Sequence, residues 1–185
     1  RYEALGTDRK VYVYQSGDNQ DITPIRSTDA LVNAISTTTS SNIITITDTS
    51  HGALQGDFVT LSSVSAAVAG IPAATLDAEY EILSISNTNA YTIQSSVTAN
   101  ANTGPTANCT ATYQLNIGPS VQTFGYGWGA GTWNTGTWNT PRTTSQIILD
   151  ARLWSINNWG EDLIITQKDG GTFEWDTSGG MTDNR

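Results

Sequence analysis

The sequence predicts an all-β protein. Thr, Ser, Asn and Gly are abundant and hydrophobic residues make up 37% of the 185 residues, a mixture that suits half-buried strands better than helices. Short alternations of apolar and polar residues recur along the chain, separated by Gly, Asp and Asn, as in strands joined by tight turns. Hairpin patterns of similar design at the two ends predict propeller-like hairpins or blades, with a small β-barrel or sandwich domain inserted between them.

Residues 1–28 predict the first hairpin of this propeller-like scaffold. The stretches "YEALGT" and "KVYVY" predict two strands joined by a turn at Asp8 and Arg9. Residues 11–14 alternate Val and Tyr, so each face of the sheet receives one kind of side chain.

Residues 29–118 predict the inserted small β domain. This part has no tryptophan between residues 30 and 117, and the stretch 100–108 is expected to be a loop. The predicted strands cover residues 42–48, 57–64, 79–86, 90–95 and 109–117. Five short strands at close spacing are typical of a barrel or sandwich, and an inserted unit of this size is expected to be a separate domain.

Residues 147–185 repeat the hairpin design of the first zone. An apolar strand is followed by a polar turn at 168–171 and by a strand that ends in Phe173 and Trp175. Asp-Gly and Gly-Gly pairs favour tight hairpins because they accept positive φ. Two such partial blades do not close a propeller, which needs about 4–8 blades, so the remaining blades are expected outside these residues or in other chains.

Residues 119–146 predict a Gly/Trp-rich connecting segment. Its tryptophans, Trp128, Trp133 and Trp138, are spaced by five, which matches neither one helix face nor one strand face. Neighbouring glycines allow close backbone approach. Three interpretations remain open: the rings cap the core of an adjacent sheet, they form a contact between subunits, or they stack on a sugar ring.

Composition limits the classes of partner. Seventeen acidic residues against 8 basic ones give a net charge of -9, without a Lys or Arg cluster, so specific DNA binding is not expected. The single cysteine, Cys109, cannot form an intrachain disulfide and is expected to be buried. No membrane anchor or targeting pattern is evident, and a start at Arg1 is expected of a piece of a longer chain.

No catalytic, cofactor or metal site is predicted, and the chain is not expected to be an enzyme or to have a small-molecule substrate. His51 is the only histidine, and its context "TSHGALQGD" predicts a turn in which the ring bonds to nearby backbone. Glu161 and Asp162 are neighbours on a strand, so they point to opposite faces and cannot flank one glycosidic bond. We expect them to accept hydrogen bonds instead.

Three stretches carry a resemblance: "RYEALGTDRKVYVYQSGDNQDITPIR", "GYGWGAGTW" and "LWSINNWGEDLIITQKDGGTFEWDTSGG". Together they resemble structural proteins that form the tail nozzle or tail hub of short-tailed bacteriophages on a propeller-like scaffold. The most specific part is Trp154, Trp159 with Gly160, and Trp175 after the Asp-Gly-Gly turn. The "HGALQGDF" region is similar to a small β module that recurs in phage virion proteins, which is less discriminating.

The resemblance implies a structural protein of the virion tail with a part in genome ejection. It would form an oligomeric ring of copies of itself that conducts or retains DNA, without binding it specifically, and would contact other tail proteins. Candidate residues for assembly or packing are Trp128, Trp133, Trp138, Trp154, Trp159 and Trp175. The alternative is a carbohydrate-binding or host-adhesion module that uses exposed tryptophans.

Overall fold

The structure is a computed structural model. The structure describes residues 3–15, 17–116, 121–124, 145–148, 153–168 and 170–178. The all-β prediction is confirmed: the regular elements of the described residues are antiparallel strands, apart from one helix of four residues. The chain divides into two compact units, one formed by Arg1–Gly118 with Arg152–Arg185 and the other by Pro119–Ala151.

The amino-terminal end of the chain is a three-stranded antiparallel meander of β1 (Glu3–Gly6), β2 (Val11–Gln15) and β3 (Asp18–Asp21). The β1–β2 turn lies where the sequence predicts it. Thr7 fixes this turn, because its Oγ1 accepts the N–H of Lys10 at 2.8 Å and donates to the Lys10 carbonyl at 2.9 Å.

Nine strands and the short helix make up the inserted domain, a name used here for residues 25–116. They are β4 (Ile25–Leu31), β5 (Ile35–Thr37), β6 (Ile43–Thr47), β7 (Phe58–Ser62), α1 (Ala73–Leu76), β8 (Glu79–Glu81), β9 (Ser84–Asn87), β10 (Ala90–Gln94), β11 (Thr103–Thr106) and β12 (Cys109–Gln114). One sheet has the order β11-β5-β6-β10-β9 and the other β4-β12-β7-β8. Their buried faces share one core, to which Ile44 and Tyr91 contribute from the first sheet and Leu61 and Tyr113 from the second.

Two details of the inserted domain differ from the sequence prediction. The single strand predicted at 79–86 is two strands in different sheets, because the chain changes sheets at Ile82, which is buried between them. The stretch 100–108, expected to be a loop, contains the edge strand β11. The boundary predicted between residues 28 and 29 falls inside β4, and the predicted domain division as a whole stays a prediction.

In the second unit, the structure describes β13 (Val121–Phe124) and β14 (Ser145–Ile148). They pair antiparallel, with Val121 opposite Ile148 and Phe124 opposite Ser145. The rest of the predicted connecting segment lies outside the described residues.

The carboxyl-terminal end of the chain is again a three-stranded meander, formed by β15 (Trp154–Trp159), β16 (Asp162–Gln167) and β17 (Thr172–Trp175). Only two residues join β15 to β16, since Trp159 pairs with Asp162. Gly160, the first of these two, has a φ of 69°, which a tight hairpin of this kind requires and glycine adopts without strain.

The two meanders pack together around a second core. Val11, Val13 and Ile22 from the first meander join Leu163, Ile165 and Trp175 from the last. We call the described residues 3–22 and 153–178 the end module. Each meander contributes three strands to it, and the described residues form neither a closed barrel nor a propeller.

Candidate functional site

Three of the six candidate tryptophans, Trp128, Trp133 and Trp138, lie outside the described residues. The other three have different environments. In the end module, Trp175 is only 3% exposed, whereas Trp159 is 72% exposed. Their predicted part in assembly or packing stays a prediction.

Trp154 joins the two meanders of the end module. Its ring packs against the shared core, and its Nε1–H donates to the Thr7 carbonyl at 2.6 Å. A Cβ placed on Gly6 would lie 2.6 Å from Trp154 Cδ1, a clash that only a glycine avoids. Gly6 therefore permits the close approach of β1 and β15.

The outer face of the first meander is apolar and open. Leu5 lies opposite Tyr12 in the β1–β2 register, and Tyr14 is two residues further along the same face. Leu5 is 60% exposed and Tyr14 is also exposed, while Val13, on the other face of β2, is fully buried. The sheet thus presents large apolar side chains on both of its faces. The inner face packs against the last meander, whereas the outer face meets the inserted domain near Lys10 and is open at Leu5 and Tyr14.

The outer face of the last meander carries Trp159 among polar side chains. Trp159 and Asn157 lie on the face of β15 opposite to Trp154, which packs against the core. Asp162, the cross-strand partner of Trp159, accepts hydrogen bonds from the N–H and Oγ1 of Thr177 at 3.0 and 3.1 Å. This confirms the expectation that Asp162 is a hydrogen-bond acceptor.

A polar junction of four residues, Lys10, Asp21, Glu79 and Gln114, joins the end module to the inserted domain. The ammonium group of Lys10, a buried residue, donates to Asp21 Oδ2 at 3.1 Å and to Glu79 Oε1. Gln114 Nε2 donates to Asp21 Oδ2 and to Glu79 Oε2, each at 3.0 Å. Each carboxylate therefore receives one donor from Lys10 and one from Gln114.

The surroundings of this junction reinforce its charges. Phe58 places its ring centroid 4.3 Å from Lys10 Nζ, within the range of a cation–π contact. Burial by itself would lower the pKa of Lys10, but the hydrogen bonds and negative charges of Glu79 and Asp21 outweigh it and raise that pKa. Burial would raise the pKa of Asp21, but hydrogen bonds from Thr23 and the charge of Lys10 lower it.

A second polar network lies in the core of the inserted domain. The Tyr113 hydroxyl contacts Asp48 Oδ2, and the hydroxyls of Tyr113 and Tyr91 are 3.0 Å apart. Because a phenol carries one proton, the consistent assignment has Tyr113 donating to the Asp48 carboxylate and accepting from Tyr91. Burial raises the pKa of Tyr91 and of Tyr113 above the ordinary range.

His51 extends this network into the turn that was predicted for it. Its Nδ1 accepts the N–H of Ala53 at 3.1 Å, so its Nε2 carries the proton and donates to the Asn87 carbonyl at 3.2 Å. The ring also meets Tyr91 edge-on, with 5.1 Å between centroids. The prediction that His51 bonds to nearby backbone is confirmed.

We expect His51→Ala to lower the free energy of unfolding by about 2 kcal/mol, because it leaves a buried N–H and a carbonyl without partners. His51→Asn is the matched control, since an Asn side chain accepts the N–H of the residue two positions on but does not reach Asn87. The expected order of stability in urea titrations is parent, Asn, Ala. Equal losses in both variants would contradict the assigned role of the Ala53 bond.

The described residues hold no group of three or more His, Cys, Asp or Glu side chains able to bind a metal ion. Cys109 is buried as expected, and this burial raises the pKa of its thiol to about 11, so the nucleophilic thiolate is scarce at neutral pH. Within the same residues, no helix is both long and apolar enough to cross a membrane.

One apolar cleft borders the link between the end module and β4. Its volume is about 200 Å³, below the roughly 300–1,000 Å³ of typical small-molecule pockets. It is lined by Ile22, Pro24, Ile25, Ile165, Phe173, Glu174 and Trp175. A single large side chain would fill it.

Sequence reasoning did not identify the polar junction. Three of its four hydrogen bonds join residues 35, 69 and 93 positions apart, and each residue by itself has an ordinary context. The only local signal is Lys10, which stands at the start of a strongly apolar strand, where a charged residue is unusual.

Comparison with known proteins gives few relatives. No known protein family matches the chain, and no curated protein does. Among solved structures, one similar chain is described as "Phage phi92 endosialidase", with a TM-score of 0.42 and 12% sequence identity. The match covers 90% of this chain and 25% of the other, so this chain spans about a quarter of that length. A likeness this low does not establish a shared function.

Proposed function

We propose that the chain is a structural component of a bacteriophage tail, a nozzle or hub protein that works by assembly in the virion. It forms part of an oligomeric ring of copies of itself, contacts other tail proteins, and conducts or retains DNA. The sequences of the two chain ends support this proposal through their resemblance to such proteins. A role in assembly requires a surface that contacts other chains, and the end module offers the candidate surface.

The observation that carries the proposal is the open apolar surface of the end module. Leu5 and Tyr14 are exposed on one outer face and Trp159 on another, although the inner faces of the same sheets are well buried. Exposed apolar and aromatic side chains of this kind mark protein interfaces, where Trp and Tyr contribute much of the binding energy. A neighbouring sheet would bury them.

Charge supports the role of the ring toward DNA. With a net charge of -9, the chain repels a polyanion at long range, which allows DNA to move along its surface without adhering. This is compatible with a channel wall and unsuited to a packaging protein that must hold DNA tightly.

One observation favours the alternative, a host-adhesion module. Trp159 is 72% exposed and lies on the same sheet face as Asn157, with Asp162 opposite. An exposed aromatic ring with amide and carboxylate neighbours has the chemistry to stack on and bond to a sugar. In this case Trp159 binds a glycan and not another subunit.

The test compares oligomeric states by native mass spectrometry and sedimentation. The parent is expected to form a closed oligomer, and the triple variant Leu5→Ser, Tyr14→Ser, Trp159→Ser is expected to lose it with its fold intact. The matched control is Val32→Ser, which removes a side chain that is 73% exposed on the inserted domain and should leave the oligomer unchanged. Immunoelectron microscopy should place the chain in the tail.

Two outcomes would contradict the proposal. A parent chain that stays monomeric at high concentration has no ring-forming contact. A monomer whose binding to a glycan array is lost in Trp159→Ala supports the adhesion module instead.

A further inference from the structure

We propose that the polar junction is an ionic latch: it holds the inserted domain in a fixed orientation on the end module and releases it in acid. The latch goes beyond the proposed function and does not depend on it. Its groups are Lys10, Asp21, Glu79 and Gln114, as defined above.

Each module supplies one hydrogen-bond donor and one carboxylate acceptor to the latch. The end module supplies Lys10, just before β2, and Asp21, at the end of β3. The inserted domain supplies Glu79 from β8 and Gln114 from β12. Two bonds cross the junction, from Lys10 to Glu79 and from Gln114 to Asp21, and two lie within the modules. The four groups thus close a ring of alternating donors and acceptors.

The orientation of Gln114 fits ionised carboxylates. Its Nε2 donates to both carboxylates, while its buried Oε1 has no hydrogen-bond partner. An amide flipped the other way would point its acceptor at two anions. The junction is therefore built for the charged forms of Asp21 and Glu79.

Apolar burial does not replace these bonds. The buried core of the end module and that of the inserted domain are separate clusters with no residue in common. Between β3 and β4 the chain passes from one module to the other through residues 22–24 alone. The link itself is held to both modules, since Val11 N–H donates to Thr23 Oγ1 at 3.0 Å and Leu115 N–H donates to the Pro24 carbonyl at 2.8 Å. Because no buried core spans the two modules, their orientation rests on polar contacts, to which the latch contributes two.

The charges facing the latch come from every element around it. The β1–β2 turn brings Arg9 and Lys10, β3 brings Asp21, and β8 brings Glu79 and Glu81. Arg9 Nη1 pairs with Glu81 Oε1 at 2.9 Å. The uncharged neighbours include Thr23, which bonds to Asp21, together with Phe58 of β7, Tyr12 of β2 and Gln114 of β12. Protonation of the carboxylates leaves Arg9 and Lys10 without counter-charges.

The direction of the pH response follows from Asp21. Its pKa in the folded protein is lowered from its ordinary value of 3.8, so its contribution is fully present above about pH 4 and is lost as the pH falls through the lowered pKa. Lys10 limits the other side, because its raised pKa keeps it charged up to strongly alkaline pH. The latch is closed across the neutral range and opens in acid.

Pulsed electron paramagnetic resonance on the full chain tests this. Spin labels at Val32→Cys and Trp159→Cys, both exposed sites in different modules, are placed in a Cys109→Ala background and diluted with unlabelled chain. At pH 7 the parent should give one narrow distance distribution, and this narrow peak should be lost as the pH is lowered stepwise below about 4. Lys10→Met should lose it already at pH 7.

Lys168→Met is the matched control, because it removes an exposed lysine of the β16–β17 turn, and it should keep the narrow peak. Circular dichroism establishes that each variant is folded. Should Lys10→Met not fold, Glu79→Gln replaces it, since it removes one charge from a partly exposed side chain and keeps its shape. A narrow peak at the parent distance in a folded Lys10→Met or Glu79→Gln variant at pH 7 would overturn the latch.

Discussion

Replacing Trp175 with alanine should lower the free energy of unfolding of the end module by about 3–5 kcal/mol. Trp175 is 3% exposed and is the largest side chain in a core of six buried residues. Its cross-strand partner Leu163 belongs to the central strand β16 and already packs in the shared core, so it does not fill the cavity that the ring leaves. Urea denaturation followed by circular dichroism measures the loss.

Trp159→Ala is the matched control for this experiment. It removes the same kind of side chain from the same sheet, but from a site that is 72% exposed. Surface substitutions of this type usually change stability by no more than about 0.5 kcal/mol. Similar losses in the two variants would mean that the two environments are wrongly assigned.

Because the two cores are separate, the loss in Trp175→Ala should be local. Hydrogen exchange at amides of β6 and β10, which are buried in the inserted domain, should keep its protection while exchange at β16 accelerates. Protection lost equally in both modules would show that they unfold as one unit.

The strands of the inserted domain were predictable where burial follows a two-residue period. In β6 and β7 every second side chain is buried, and both strands lie within predicted segments. The prediction is wrong at 79–86, where the apolar alternation changes phase: Tyr80 and Ile82 are two residues apart, but Leu83 follows Ile82 directly. The phase change coincides with the point where the chain leaves one sheet for the other. Which distant strands then accept the segment is not contained in the periodicity.

Polar strands were also missed. The sequence of β3 is "DNQD" and that of β15 is "WSINNW", and Asp and Asn are disfavoured in strands on average. Both segments are strands because each pairs with an apolar neighbour, β2 and β16 respectively. Tertiary pairing outweighs local preference in these edge strands, so each end of the chain is a meander and not a hairpin.

The environments of the tryptophans were partly readable from spacing. Trp154 and Trp159 are five residues apart on one strand, and an odd separation places them on opposite faces of the sheet. Sequence alone does not say which face is covered, because that depends on the contact between the first and last meanders. The junction around Lys10 is harder still to predict, since it requires the relative placement of two modules.

Raising the pH above about 9 should destabilise the inserted domain steeply. Tyr91, Tyr113 and Cys109 are buried in its core. Burial raises the pKa of both tyrosines well above their ordinary value of 10.0. It raises the pKa of the cysteine from 9.0 to about 11. The unfolded chain loses these protons first, so it binds fewer protons than the folded chain and gains stability relative to it as the pH rises.

The sign and the size of this effect follow from linkage. All three groups contribute fully below their unfolded pKa values, and each contribution is lost as the pH rises toward the folded pKa. The loss approaches about 1.4 kcal/mol per pH unit for a group that is ionised in the unfolded chain and protonated in the folded one. Between pH 10 and 11 each of the three groups is only partly in this range, so the combined slope is roughly 3 kcal/mol per pH unit.

Urea titrations at half-unit steps from pH 8 to 11 measure this slope, and two variants divide it. Cys109→Ala removes the component that begins near pH 9, whereas Tyr113→Phe removes one that begins near pH 10. Tyr113→Phe also leaves the buried Asp48 carboxylate without its phenol partner, so its stability at neutral pH falls while its alkaline slope becomes shallower. The lower stability at neutral pH reports the lost hydrogen bond, whereas the shallower alkaline slope reports the lost titrating group, so the two effects are measured separately. A slope that is the same in the parent and both variants would place the ionising groups outside this core.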